Sequence, residues 1–188
     1  MADIELFGGA ERREIRLVPP DPFWRAAFAG QRARIGDALG RRALRIDHVG
    51  STAVAGLWAK PIVDVQVSVL DPGAEGEYVR QLERAGYVLR VREPAHRMLR
   101  TPELDVHVHV CATASDWERR HLLFRDWLRV DAADRDRYAA TKRGLSERDW
   151  PTMNDYAAAK SEVISEVMRR AEVWASETGW RPSGVSSA

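Results

Sequence analysis

The sequence predicts an α+β protein, a sheet with flanking helices followed by a C-terminal helical bundle, and three observations predict it. Two segments alternate with a period of two. Ile62 to Leu70 places Val63, Val65, Val67 and Val69 on one face, and Leu104 to Cys111 does the same with Val106, Val108 and Val110. From Ser115 to about Trp174 the apolar spacing is helical, broken near Val130 to Ala133 and at Trp150-Pro151, which predicts three helices. No internal repeat interrupts this order, so strands come first and helices last.

Each element has a local reason. Residues 1 to 14 are polar and glycine-containing and are expected to form a flexible tail, as are residues 176 to 188. An extended piece over Glu14 to Val18 leads to Asp21-Pro22, a helix start in which Asp caps free N–H groups and Pro fits the first turn. Trp24, Ala27, Phe28, Ile35 and Leu39 then form an apolar stripe on a helix ending near Gly40. Ala43 to Val49 reads as a strand, and Gly50-Ser51-Thr52 as a turn opening a short helix. Asp71-Pro72-Gly73 breaks the chain after the valine strand, and a helix follows from Glu75 to Ala85, stopped by Gly86. Tyr87 to Arg92 and Arg97 to Thr101 read as strands around a turn at Glu93-Pro94-Ala95. The expected organisation is an α+β core over 15–112 and a helical part over 113–175 packed on it.

Composition bounds the function. At 188 residues with 45% hydrophobic content, the chain suits a single core. Lys and Arg total 29 against 28 Asp and Glu, a net charge of +1, so nothing global favours nucleic acid or a membrane surface. The lone Cys111 excludes an internal disulfide and a cysteine-rich zinc site. No signal pattern opens the chain, and no apolar stretch approaches the ~18 residues of a membrane span, so the expected location is the cytoplasm.

The residues that carry chemistry cluster around the two alternating strands. Gly50, Ser51 and Thr52 offer small side chains and backbone N–H groups that favour an anion, because glycine lets a phosphate approach closely. Asp64, Gln66 and Ser68 share the polar face of one strand, and Asp105, His107 and His109 that of the other. If the two strands are neighbours, both polar faces line one site. Lys60 could reach a phosphate as a flexible point charge, or be a surface lysine at a strand entrance. His121 with Arg125, Tyr138 with Lys142, and Tyr156 with Lys160 are three pairs at i and i+4, each on one helix face. They either wall a cleft and bind phosphates or pack at helix edges with their polar ends in water. Arg97 and Arg100 add charge beside the His107 strand, whereas Trp24, Trp117, Trp127 and Trp174 read as core.

The stretch His48-Val-Gly50-Ser51-Thr52-Ala53-Val54-Ala55-Gly56-Leu57, followed by Lys60-Pro61-Ile62-Val63-Asp64, resembles the GrpB family and its pattern HIGSTAVPGL-x-x-KPIID. GrpB is a branch of the nucleotidyltransferase superfamily. Leu17-Val18-Pro19 with Asp21-Pro22-Phe23-Trp24 is similar to the family's opening, and His107-Val-His109-Val to its HLH strand. His121-Leu-Leu-Phe-Arg125-Asp-Trp-Leu-Arg129 is similar to its HLLFRD-x-LR helix. Tyr138-Ala-Ala-Thr-Lys142 and Tyr156-Ala-Ala-Ala-Lys160 complete a resemblance covering about residues 15 to 172.

That resemblance implies a nucleotidyltransferase-like mixed β-sheet and an NTP bound with Mg, or Mn, in the cleft. It also implies a nucleotidyl group passed to a small-molecule or protein acceptor. Asp64 takes the first acidic position of the superfamily's acid-x-acid strand. Gln66 stands at the second and supplies no negative charge, so Asp105 or His107 is expected to complete the metal site, with Asp64 and Asp105 as the ligands. Gly50, Ser51, Thr52, Lys60, Arg125, Lys142 and Lys160 are the expected nucleotide contacts. The alternative is a nucleotide-like ligand-binding or regulatory domain without transfer chemistry, motivated by the same Gln66. His107 and His109 also have a spacing that binds zinc if Asp64, Asp105, His48 or His121 converges, though the resemblance favours a nucleotide pocket. GrpB-like domains occur fused to a CoA-biosynthetic kinase, but this chain has no G-x-x-x-x-G-K-[ST] loop and would need a partner for such chemistry.

Overall fold

Valine at every second position builds the centre of the molecule. The computed structural model describes residues 4–12 and 14–182. Its strands are β1 (Glu5–Leu6), β2 (Arg45–Val49), β3 (Val63–Val69), β4 (Val88–Glu93), β5 (His96–Arg100) and β6 (Val106–Ala112). They form one mixed sheet in the order β1-β4-β5-β6-β3-β2. β3 and β6 run parallel, with Asp64 opposite His107 and Gln66 opposite His109, and every other pairing is antiparallel. The two alternating strands are therefore neighbours, and their polar faces lie side by side.

The valine faces of β3 and β6 pack against α1 (Phe23–Leu39) and α2 (Val79–Arg84) through Trp24, Ile35, Leu39 and Leu82. Val63, Val65, Val67 and Val69 are all buried, and each contributes about 1.5–3 kcal/mol relative to exposure. Asp21 caps α1 as its spacing predicts, its Oδ1 accepting from Phe23 N–H at 2.8 Å. Ala27, expected in the buried stripe, is exposed. The helix expected over Glu75 to Ala85 is a 3-10 turn at Glu75–Glu77 and then α2, because Tyr78 leaves the helical region with φ −141.

The second face of the sheet is covered by α3 (Asp116–Val130), with α4 (Ala132–Ser146), α5 (Met153–Ala158) and α6 (Ser161–Thr178) behind it. Four helices stand where three were expected. The Thr152–Asp155 capping box starts α5, and the chain turns at Ala159-Lys160 before α6. Val54 and Leu57, just past the glycine-serine turn, share a buried cluster with Leu128, Tyr138, Val163 and Val167. This ties the turn directly to the helices.

Both expected tails are partly structured. Glu5–Leu6 adds an edge strand, and Glu11 pairs with Arg100 at 2.6 Å while its carbonyl accepts from Met153 N–H. At the other end α6 continues to Thr178, and Trp180 packs on Trp174 and donates to Asp126. Residues 1–3, 13 and 183–188 of the expected tails lie outside the described residues.

Candidate functional site

A cleft of about 970 Å³ opens between the polar ends of β3 and β6 and the helices. Gly50, Ser51, Lys60, Asp64, Asp105, His107, His109, His121, Lys142 and Lys160 all line it. Its floor is a close approach of turn to strand. Gly50 has φ 70, and a β-carbon there would lie 3.0 Å from both Cβ and Cγ of Asp64. Only glycine satisfies both the backbone conformation and the space.

Asp64 receives its neighbours through the parallel register. His107 Nδ1 lies 3.5 Å and His109 Nε2 3.4 Å from Asp64 Oδ1, and the three donor atoms all lie within 4.8 Å of one another. Burial pushes the Asp64 carboxyl upward, but hydrogen bonds and charge from His107 and His109 outweigh it and hold the group below the usual carboxylate range. The site continues behind His109. His109 Nδ1 lies 3.1 Å from His96 Nε2, and His96 Nδ1 lies 2.6 Å from Glu93 Oε1. The His96 ring stacks on Trp117, which stacks on His121, and burial lowers the His96 pKa to about 3 and that of His121 to about 4. Both rings are therefore neutral near pH 7.

Three lysines converge on the opposite wall. Lys142, buried on α4, donates to Ser51 Oγ at 2.9 Å and to the Trp58 carbonyl at 2.6 Å. Burial lowers its pKa to about 7, with Lys160 and Lys60 adding to the fall and Asp64 opposing it. Lys160 sits at the break between α5 and α6, its ammonium 4.6 Å from the centre of the Tyr156 ring, and Lys60 approaches the same ring at 5.6 Å. Burial and Lys60 bring Lys160 to about 8. Burial is the larger cause of both shifts, and a bound anion would oppose it as well as the repulsion among the lysines.

Two expected site residues are turned elsewhere, and a third is engaged by a neighbour at the cleft rim. Arg125 is buried against β2, donating to the Asp126 carboxylate at 2.7 and 3.2 Å and to the His48 carbonyl at 3.0 Å, so it is a tie between α3 and the sheet. Thr52 is also internal. Its hydroxyl donates to the Ile62 carbonyl at 3.2 Å and accepts from His48 Nε2 at 2.9 Å, joining the turn to the entrance of β3. Asp105 reaches the cleft rim, but it precedes β6 and its Oδ1 accepts from Thr101 Oγ1 at 2.6 Å. The group of possible metal donors found among the described residues is Asp64, His107 and His109, without Asp105.

The polar face of β3 also differs from expectation. Gln66 and Ser68 are fully buried beneath Glu118 of α3, with Ser68 Oγ donating to the Glu118 carboxylate, so only Asp64 opens to the cleft. Trp117, expected as core, is a partly buried platform for histidines. Arg97 lies on the opposite face with Glu75, while Arg100 faces the cleft paired with Glu11. Glu93 and His96 carried no motif; only the β4–β5 hairpin register, which sets them opposite each other, brings them to His109.

Fold and site define an α+β protein with a helical C-terminal region, whose Gly-Ser turn is pressed against an acid flanked by two histidines. The family profile described as GrpB protein matches residues 14–170, and the chain belongs to the GrpB family. It is 49% identical over 168 residues to a UPF0157 protein of Streptomyces coelicolor, covering 89% of this chain and 90% of that one. A dephospho-CoA kinase of Mycolicibacterium paratuberculosis is 34% identical over 200 residues, spanning 91% of this chain but 49% of the kinase. Among solved structures, the conserved protein GrpB from Enterococcus faecalis superposes with a TM-score of 0.74 at 27% identity, covering 85% of this chain and 99% of that one. No helix among the described residues is long and apolar enough to cross a membrane.

Proposed function

We propose that the cleft binds a nucleoside triphosphate with a divalent cation and transfers its nucleotidyl group to a hydroxyl or amine of a small-molecule or protein acceptor. The observation that carries this reading is the convergence of Lys60, Lys142, Lys160 and the Gly50-Ser51 turn on one cleft that also presents Asp64. The lysines would hold the triphosphate and stabilise charge on departing pyrophosphate. The cation would join a phosphate oxygen to Asp64. Magnesium is the ion that the nucleotidyltransferase resemblance implies, and it would arrive with the triphosphate. In the transfer, the acceptor oxygen or nitrogen forms a bond to the α-phosphorus. The bond to the pyrophosphate oxygen breaks with its electron pair, and the acceptor's proton leaves to water.

One observation favours a second reading, nucleotide binding without transfer. Gln66, at the position of the superfamily's second acid, is uncharged and fully buried under α3, so the acid pair of a two-metal site is missing. Calorimetric titration with ATP, GTP, CTP and UTP, with and without Mg or Mn, followed by assay of released pyrophosphate, separates the two. Lys160→Met should weaken nucleotide binding roughly 10- to 150-fold, the worth of one charge-assisted contact. Binding with pyrophosphate release supports transfer, and binding alone supports the second reading. No binding of any nucleotide under any cation condition overturns both.

A further inference from the structure

The hydrogen bonds behind Asp64 orient the histidines beside it. Glu93 is an acceptor when ionised, so at 2.6 Å the proton between it and His96 belongs to His96 Nδ1. With its proton on Nδ1, His96 presents the Nε2 lone pair, which accepts from His109 Nδ1–H across 3.1 Å. The other ring nitrogen, His109 Nε2, lies 3.4 Å from Asp64 Oδ1. With Nδ1 engaged by His96, Nε2 is the ring nitrogen that a cation beside Asp64 would use. The buried His96, stacked on Trp117, holds this orientation rigidly.

The distances suit such a cation. Ligand atoms about 2.0–2.2 Å from a tetrahedral zinc ion lie roughly 3.3–3.6 Å from one another. The two separations from Asp64 Oδ1, 3.5 Å to His107 Nδ1 and 3.4 Å to His109 Nε2, fall in that span. Magnesium prefers oxygen ligands in near-octahedral order, whereas two of these three donors are imidazole nitrogens. Asp105, which would have supplied a second carboxylate, is held by Thr101.

We propose that Asp64, His107 and His109 bind one divalent transition-metal ion of the zinc and cobalt class in preference to magnesium, with the Glu93–His96 chain holding His109 in its metal-binding tautomer. Three protein ligands would leave at least one position on the ion for water or a phosphate oxygen. His96 and Glu93 are positioning residues, acting through His109 as carboxylate partners of metal-bound histidines do elsewhere. The inference concerns the cation of the proposed function and not its nucleotide, so the two fail separately.

The test uses the full chain, stripped with chelator, in the absence of any nucleotide. Zn, Co and Mg are titrated in turn, with the visible absorption of Co reporting nitrogen ligation. One equivalent of Zn or Co should bind, roughly 100-fold or more tighter than Mg, as nitrogen donors demand. His107→Ala and His109→Ala should each remove the Co spectrum. Glu93→Gln, on a half-exposed side chain, should weaken Zn about 10- to 100-fold with unchanged circular dichroism. His96→Phe, which keeps the stack on Trp117 but removes the acceptor, should do the same. The proposal is overturned if Mg binds within tenfold of Zn, or if Zn binding survives His109→Ala. Nitrogen NMR showing both nitrogens of His109 protonated in Zn-treated protein also overturns it, since a simple His109–Asp64 ion pair then explains the geometry.

Discussion

Gly50 and Asp64 are in contact across the turn and the strand it precedes, and no side chain at position 50 can share that space. With φ 70 and a hypothetical β-carbon 3.0 Å from the Asp64 Cβ and Cγ, the glycine is demanded twice, by conformation and by volume. Gly50→Ala should cost about 1–3 kcal/mol of stability, the range for strained backbone. It should also displace Asp64 from the histidines. Urea denaturation checks the first effect and Co binding the second; retention of both would mean that the turn is not what positions the acid.

Lys142 and Lys160 should make nucleotide binding pH-dependent with a definite sign. Their pKa values lie near 7 and 8 in the free cleft, and a bound phosphate would raise both. At pH 8 binding should therefore take up protons, and affinity should fall as pH rises from about 7 to 10. Calorimetry of nucleotide in buffers of different ionisation enthalpy measures that uptake. Zero uptake at pH 8 would place the phosphates away from these lysines.

His48 predicts acid sensitivity of the fold. Burial lowers it to about 4, against an ordinary value of 6.5, while Asp64 opposes the fall. The unfolded chain binds the proton first, so the contribution is present in full above pH 6.5 and is lost as pH falls through about 4. The slope reaches ~1.4 kcal/mol per pH unit for each such histidine. His96 and His121 shift in the same direction. Urea midpoints at pH 7, 6 and 5 should decline, and His48→Gln should flatten the decline relative to its own value at pH 7.

Gln66→Glu restores the acid-x-acid pattern on paper only. The new carboxylate would be buried beneath Glu118, already the acceptor of Ser68 Oγ and of Ala114 N–H. A loss of ~3–5 kcal/mol is expected, as for an uncompensated buried charge. Metal stoichiometry should stay at one per chain. A second bound ion with unchanged stability would show that α3 yields to the cleft.

Arg125→Lys should separate structure from ligand binding. Lysine cannot donate at once to both Asp126 oxygens and the His48 carbonyl, so roughly 1–3 kcal/mol of stability should be lost. Nucleotide affinity of the folded variant should not change. A large loss of affinity at unchanged stability would return Arg125 to the cleft.

Much was legible in the residues because it depends on local rules. Period-two valines announced β3 and β6, Asp21-Pro22 announced the start of α1, and the run from His48 to Asp64 announced the family. Asp64, Lys60, Lys142, Lys160 and the Gly50-Ser51 turn line the cleft as expected from that run and the later motifs. What periodicity conveys is the face on which a side chain stands, and a face is decided within a few residues of chain.

Which partner waits on that face is decided by residues far away, and there the reading of Asp105, Thr52 and Arg125 gave way. Asp105 was captured by Thr101, Arg125 by Asp126 and the His48 carbonyl, and Gln66 was roofed by α3. The parallel register of β3 with β6 set His107 and His109 against Asp64, and the β4–β5 hairpin carried Glu93 and His96 in behind them. Sequence determined the family, the strands and the glycine-serine turn. Tertiary structure decided that the acid would meet two histidines, because register and long-range hydrogen bonds select among side chains that share one face.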